Sequence, residues 1–537
     1  MGSFGKVEKS TTWLLFTIVL ISVITSIYPV YKNNFITDDA FISFRYALNF
    51  IQDNGLVYNP GEYVEGYTNF LWVMIIAFFM SVGVDPVFIS KAIGIGAYVV
   101  MIIALNLFCF SFIKILNKNI RFLDIFPLFT LLLLPLNESS AAWATGGLET
   151  SFFVLFAVLA FFTSLLFRDK RSVYFVSNLF FLILCLTRPD GILFYFVINI
   201  FIIIENIYNK KFTLKKSIVD SILWNIPFLT LFSLFMIWKL YYYGSILPNT
   251  FYAKSAALSY YSSGYRYVEL FFNTYVAMLV IFIVIPAPFI YFAILKILKI
   301  NTGELGRIIL FKYFPIVTMV CLFIFYIMRV GGDCMEFRFI MHIYPLIVSS
   351  ICICIIMFNH KFNKFRIISP VLILILLYLT YSCSTQDDLK VRWLDVINKQ
   401  NNFKLIGTKL KEKLPADTII AAGAVGAVPF YSELKTIDIL GLTDKITGRK
   451  KLKKRTVVGH EKRASKKYLR ERGANFIFRS FTAYPCEEIP QSGESDSYVG
   501  ITLDNGYCIK AKYLKRNKIL TDYLMAHPDY FILKDIF

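Results

Sequence analysis

Trp13-Leu14-Leu15-Phe16-Thr17-Ile18-Val19-Leu20-Ile21-Ser22-Val23-Ile24-Thr25-Ser26-Ile27-Tyr28-Pro29-Val30 is apolar around its whole circumference, and eight residues later the chain reads Asp38-Asp39. A helix at a water interface would carry a polar stripe; this run has none and suits lipid on every side. Its length is close to the roughly 20 residues that a bilayer crossing needs. Lys6 and Lys9 precede it, and no small-residue cleavage site stands before Tyr31-Lys32-Asn33-Asn34. It therefore reads as a retained helix and not as a signal peptide. Met1-Gly2 is not a myristoylation signal either, because Lys6 stands where Ser or Thr is needed.

The same texture recurs in Val99–Ile113, Phe152–Leu166, Ile222–Met236, Val276–Leu295, Ile308–Met328 and Val371–Tyr381. The chain is 57% hydrophobic and only 17% charged, which excludes an ordinary soluble domain. The runs are too long and too unbroken for barrel strands, so the expected fold is a polytopic α-helical membrane protein of about 11 to 13 helices. The net charge of +20 would suggest nucleic acid in a soluble protein. Here half of the excess lies in short loops, the usual mark of the cytoplasmic side, and no nucleic-acid partner is expected. Placing Arg168–Arg171, Lys210–Lys216, Lys296–Lys312 and His360–Arg366 inside puts Asp38-Asp39, Asn137–Thr150, Arg188–Gly191, Tyr241–Tyr267 and Arg329–Arg338 outside. One stretch resists. Between Glu65 and Lys114–Arg121 an odd number of crossings is required, yet Phe70–Met80 and Ala92–Ile113 make two apolar runs. The first is short, so it is read as tilted, re-entrant or partly crossing; a two-span reading would put Lys114, Lys118 and Arg121 outside.

From about Ser384 the pattern becomes mixed and charged, which divides the chain into a transmembrane domain, 1–383, and a soluble α/β domain, 384–537, on the extracytoplasmic side. Thr418–Ala422 and Ala474–Phe478 read as buried strands. No inverted repeat of the transporter kind is visible. The basic run Arg449–Arg455 is a solvated segment whose natural partner is the anionic bilayer surface. Cys486 and Cys508 are the two cysteines of the tail domain and can pair if that domain lies outside the cytoplasm. Gly423-Ala424-Val425-Gly426 follows a strand but lacks the third glycine of a dinucleotide loop, so no nucleotide is expected there.

The first external loop, 31–69, carries Thr37-Asp38-Asp39-Ala40-Phe41-Ile42-Ser43-Phe44-Arg45-Tyr46-Ala47, then Gly55-Leu56-Val57-Tyr58-Asn59-Pro60-Gly61 and Val64-Glu65-Gly66-Tyr67-Thr68-Asn69. Adjacent carboxylates raise each other's proton affinity, and a partly desolvated one is a competent general base. The plainer alternative is that Asp38 or Asp39 caps the helix that starts at Ala40. A cap accounts for one acid, not for two.

These strings resemble the bacterial GT-C membrane glycosyltransferases related to the mycobacterial terminal arabinofuranosyltransferase. Trp143-Ala144-Thr145-Gly146-Gly147-Leu148-Glu149-Thr150, Thr187-Arg188-Pro189-Asp190-Gly191, Leu247-Pro248-Asn249-Thr250-Phe251-Tyr252-Ala253-Lys254, Gly331-Gly332-Asp333 with Arg338-Phe339, and Asp438–Asp444 extend the likeness in the same order. The chain departs from the pattern at Cys334-Met335-Glu336-Phe337. The resemblance implies a GT-C fold. It also implies inverting transfer of a sugar, arabinofuranose among the sugars, from a polyprenyl-phosphate donor to a glycan, lipid or protein acceptor outside the cytoplasmic membrane. An aspartate of the first external loop would be the base; Asp38 is favoured, with Asp39 the alternative.

Such a reaction needs cations for the departing phosphate, and Arg45, Arg188, Lys254 and Arg338 are available. Arg188 and Asp190 can instead pair with each other, and Arg338 can anchor a helix end. Glu65, Tyr67, Asn69, Glu149, Asp190, Asn249, Tyr252 and Asp333 are the residues expected to touch substrate. Glu149 also has a plainer role as an acid at a helix N-terminus, and the tyrosines as an interfacial belt. No ligand spacing calls for a metal or other cofactor, so metal-independent chemistry is expected. The rival reading is a transporter or a flippase for lipid-linked saccharides, which would place charges within the spans instead of at their ends.

Overall fold

The computed structural model describes residues 6–7, 9–117, 119–167, 171–208, 213–255, 258–299, 303–333, 335–362, 364–384, 402–452, 460–488, 498–503, 506–514 and 518–534. Lys118, Arg168, Lys210, Cys334 and Lys453-Lys454-Arg455 of the basic run lie outside the described residues. The chain packs as two compact units. A helical unit comprises Met1–Asn34, Ser90–Ile237 and Ser259–Lys390; a mixed unit comprises Phe35–Ile89, Trp238–Leu258 and Val391–Phe537. The units thus divide the chain differently from a cut at 383/384, because the loop after the first helix packs with the C-terminal sheet.

Eight helices among the described residues are long and apolar enough to cross a membrane. In Leu214–Tyr243 the side chains of Ile222, Leu223, Ile226, Leu229, Leu234 and Ile237 are exposed. A helix that presents so much apolar surface outward belongs in lipid, and the protein is an integral membrane protein. Tyr344–Lys361 is the opposite case. Its apolar window is 83% buried, and Ser349, Ser350, Cys352 and Cys354 let its neighbours approach closely at the centre of the bundle.

The unresolved crossing near residues 68–121 has a structural answer. Lys6–Val7 pairs in parallel with Asn119–Ile120, which brings the end of helix Pro86–Leu116 to the start of helix Lys9–Lys32. Those two helices therefore cross in opposite senses, and Lys114 belongs with the basic N-terminal side. Phe70–Ser81 has 12 residues, about 18 Å of helix against roughly 30 Å of hydrocarbon, and does not cross alone. The chain returns through Phe122–Leu136, whose first part is 3-10 helix with a longer rise per residue. At the far end Lys32 pairs with Glu138, and Thr145 Oγ donates to the Asn33 carbonyl at 3.0 Å. Beside the eight long helices, the described residues contain the shorter apolar helices Phe70–Ser81, Phe122–Leu136, Thr150–Leu166 and Val173–Thr187.

Helix Pro86–Leu116 contains an internal comparison. A methyl group on Gly94 would lie 2.4 Å from the Ala144 carbonyl oxygen, whereas one on Gly96 would meet nothing within 4 Å. Gly94→Ala is expected to cost about 1–3 kcal/mol by overpacking against backbone that has nowhere to go. Gly96→Ala should be neutral or slightly stabilising through helix propensity. Melting temperatures in detergent compare the two; equal values would show that the Gly94 contact is not needed.

The mixed unit holds a seven-stranded sheet. Lys435–Asp438, Ile419–Ala422 and Phe476–Phe478 lie parallel, and Tyr507–Tyr513, Tyr498–Thr502 and Phe531–Lys534 continue antiparallel. Ala483–Pro485 also pairs with Tyr507–Tyr513, and a disulfide joins Cys486 to Cys508 beside that pairing. Ile420, Ala422, Phe476, Phe478, Val499, Ile501 and Ile509 form its core, with a helix over 402–413 contributing Ile406 and Leu410. The C-terminal part is therefore α/β, as its sequence pattern predicts.

Candidate functional site

The acid pair opens helix Asp38–Ile51, but neither acid caps it. Thr37 is the N-cap, its Oγ accepting the Ala40 N–H at 3.2 Å. Both aspartates occupy the first turn instead, where the free N–H ends favour ionised carboxylates. Asp38 reaches further along the chain than any local pattern suggests. Its Oδ1 accepts the Ala427 N–H at 2.7 Å, and its Oδ2 accepts the Gly426 N–H at 3.2 Å. A Cβ at 426 would fall 1.9 Å from the Asp38 carbonyl oxygen, so only glycine permits the approach. Burial pushes the Asp38 carboxyl up to about 6; the Ala427 N–H pulls against this, Asp39 adds to it, and the Gly426 N–H opposes it. Asp39 is partly exposed and has no hydrogen bond or ion pair among the described residues.

The strings from the first loop meet the C-terminal strings within the mixed unit. Asn59 matches the Thr436 backbone on both sides, donating to its carbonyl at 2.9 Å and accepting its N–H at 3.2 Å. Tyr58 Oη donates to the Val425 carbonyl at 2.7 Å. Arg45 is buried and committed. It donates to the carbonyls of Tyr58 at 2.8 Å, Pro429 at 2.6 Å and Leu434 at 2.8 Å, and to Asn59 Oδ1 at 3.2 Å. Its guanidinium is thus engaged by three backbone carbonyls and the Asn59 side chain.

Glu65 forms a buried pair with Lys239 at 3.0 Å, and burial raises its carboxyl to about 7 despite that cation. Tyr67 and Tyr243 join through their hydroxyls at 3.0 Å, and Asn69 pairs with Ser43. Asn249 is a latch: its N–H donates to the Glu65 carbonyl, and its side-chain amide to the carbonyls of Gly441 and Leu442, each at 2.9 Å. Arg449 lies 4.5 Å over the Tyr252 ring. Asp438 is buried and pushed up to about 6 by burial, against N–H bonds from Thr443, Leu440 and their neighbours. Lys254 is partly exposed; its N–H donates to the Thr250 carbonyl at 3.0 Å, and its ammonium makes no ion pair among the described residues.

The helical unit gathers a second charged group at helix ends. Arg188 bridges Glu149 Oε1 at 2.7 Å and Asp190 Oδ1 at 3.0 Å, so the expected Arg188–Asp190 pair exists and has a third member. Arg338 pairs with Asp333 at 2.7 Å and lies 5.7 Å over the Trp143 ring. Burial works to raise the Glu149 carboxyl, but Arg188 and then Arg338 override it and hold it below the ordinary glutamate value. His342 is buried with its Nδ1 3.8 Å from Asp190; burial first, then the two arginines, keep the imidazole neutral. Two guanidiniums and three carboxylates thus gather here.

Residues 395–535 match the family described as "Domain of unknown function (DUF8728)". No curated protein matches the chain. Among solved structures it is similar to ArnT from Cupriavidus metallidurans, determined bound to undecaprenyl phosphate. That likeness has 10% identity and a TM-score of 0.41, and covers 81% of this chain and 88% of that one.

Sequence reasoning missed Gly426, Ala427, Lys239 and His342 as members of these clusters. Gly426 ends the glycine string for which no nucleotide is expected, Ala427 follows it, and Lys239 follows an apolar run as an ordinary helix-end cation would. His342 had one usable signal, a histidine four residues after Arg338.

Proposed function

We propose that this protein is a GT-C-type glycosyltransferase that moves a sugar from a polyprenyl-phosphate donor to a glycan, lipid or protein acceptor on the extracytoplasmic side, with inversion. The acid pair Asp38-Asp39 supplies the base, and Asp38 is the better choice. The observation that carries this reading is the Asp38 carboxylate, fixed by two backbone donors and raised to about 6 by burial. A base in that range is ionised at neutral pH yet holds a proton better than a free carboxylate. The donor already bears its leaving group, so what remains is to take the acceptor hydroxyl proton and neutralise the departing phosphate. Lys254 is the cation assigned to the phosphate, since Arg188 and Arg338 pair with carboxylates and Arg45 donates to carbonyls and Asn59. Glu65, Tyr67, Asn69, Asn249 and Tyr252 then shape the site more than they contact the sugar. Arabinofuranose is the first sugar to try, by the sequence resemblance.

The test is to incubate purified protein in nanodiscs with a panel of polyprenyl-phosphate sugars and acceptors and follow release of polyprenyl phosphate. Asp38→Asn is expected to lower turnover by about 10²-fold or more, and EDTA to leave it unchanged. Wild-type turnover in Asp38→Asn and in Asp39→Asn would refute the base assignment. Silence toward every donor would favour the transporter reading.

A further inference from the structure

The C-terminal α/β region meets the acid pair through two main-chain donors, and those donors come from one turn. Gly426 and Ala427 lie 388 and 389 residues beyond Asp38 in the chain. We propose that Gly426 and Ala427 are positioning residues for the base: the C-terminal turn aims the Asp38 carboxylate, so this region is a working part of the catalytic site. The proposal rests on the reading of Asp38 as the base.

Three observations support it. Each carboxylate oxygen takes one N–H, which fixes the plane of the group while leaving a second lone pair on each oxygen for a hydroxyl proton. The approach is specific to glycine at 426, where the nearest atoms to an added methyl are the Asp38 carbonyl oxygen at 1.9 Å and its carboxyl carbon at 2.6 Å. The turn is itself held from the first loop, by the Tyr58 hydroxyl on the Val425 carbonyl at 2.7 Å and by Arg45 on the Pro429 carbonyl at 2.6 Å. A general base must hold its geometry within a fraction of an ångström for efficient transfer, and such fixing is what backbone donors provide. The charged and titratable groups facing Asp38 among the described residues are Asp39 on its own helix and Tyr58 from the first loop. The two N–H groups are the favourable contacts of the ionised form.

The sign of the pH effect follows. The N–H bonds stabilise the carboxylate, so removing one raises its pKa, and the acid limb of the rate profile moves to higher pH. Ala427 is the first residue of helix Ala427–Ser432, and Ala427→Pro deletes its N–H donor to Asp38. In nanodiscs, with donor and acceptor as above, Ala427→Pro is expected to move the acid limb of kcat up by about one pH unit and to lower kcat about tenfold. Gly426→Ala disturbs the same contact by displacement and should show the same shift. Gly423→Ala is the control, because its methyl would make only ordinary 3.6 Å contacts with Ile439 and Leu440. Wild-type kcat and pH profile in folded Ala427→Pro and Gly426→Ala, beside an inactive Asp38→Asn, would overturn the positioning role while leaving the base in place. Wild-type turnover in Asp38→Asn would overturn the underlying reading instead. If neither turn variant folds, amide exchange decides: Asp38→Ala should deprotect the 425–428 segment and Asp39→Asn should not, and unchanged protection in Asp38→Ala overturns the proposal.

Discussion

Replacing Arg188 by methionine is expected to destabilise the helical unit by about 3–5 kcal/mol, the usual consequence of removing one partner from a buried ionic group. Arg188 is 8% exposed and its guanidinium contacts Glu149 and Asp190. Without it both carboxylates remain buried, with Arg338 the nearest remaining cation named on Glu149. The pH dependence gives a second readout. In the wild type the Glu149 pKa is held below its ordinary 4.5, so the stabilisation it brings is present above that value and is lost as pH falls through the lower, folded one. In Arg188→Met burial instead pushes Glu149 upward, and its charged form becomes a cost at neutral pH. The gap in melting temperature between the two proteins should therefore shrink as the pH falls toward 4.5. Adding Glu149→Gln and Asp190→Asn to Arg188→Met should recover part of the loss, because it removes the two carboxylates left without Arg188. Unchanged melting with a raised donor KM would instead assign Arg188 to the phosphate.

What could be read from the chain depended on whether the information was local. The crossing helices are local: Trp13–Val30 and Ile222–Met236 announce themselves through unbroken apolar side chains, and so does the change to mixed pattern near Ser384. Phe122–Leu136 was harder, because its 3-10 portion crosses with few residues and its apolar stretch looks short. The Thr37 cap was legible in principle, since Thr before two acids at a helix start is a favoured arrangement. The partners of Asp38, Arg45, Asn59 and Asn249 were not legible. Each is a main-chain group far along the chain, and backbone N–H and C=O carry no residue signature. Gly426 illustrates the difficulty: glycine is required there by a contact with Asp38, while its neighbours suggest only a turn after a strand. The Glu65, Asn249 and Asp438–Asp444 strings converge in one unit through Asn249, whose backbone N–H and side-chain amide touch the other two.

The second large effect concerns Arg45, where the expected result separates architecture from catalysis. Arg45→Met removes one charged donor from each of the Pro429, Leu434 and Tyr58 carbonyls; Pro429 keeps the Glu433 N–H at 3.0 Å, Leu434 the Thr436 hydroxyl at 3.0 Å and Tyr58 the Asn49 amide at 2.9 Å. Hydrogen bonds made by a charged donor are worth about 1.5–3 kcal/mol each, so losing several should cost the mixed unit about 3 kcal/mol or more. Arg45→Lys should restore less than half of it. A single ammonium cannot span carbonyls that the planar fork reaches from three different nitrogens. Because Pro429 lies two residues after Ala427, loosening this anchor should also loosen the turn that holds Asp38. Folded Arg45→Lys is therefore expected to show a lower kcat with little change in donor KM. A phosphate ligand would give the reverse, a raised donor KM with an ordinary melting temperature. Thermal melting of purified protein beside initial rates at varied donor concentration distinguishes the two, and the hydrogen bonds already made by the guanidinium favour the first.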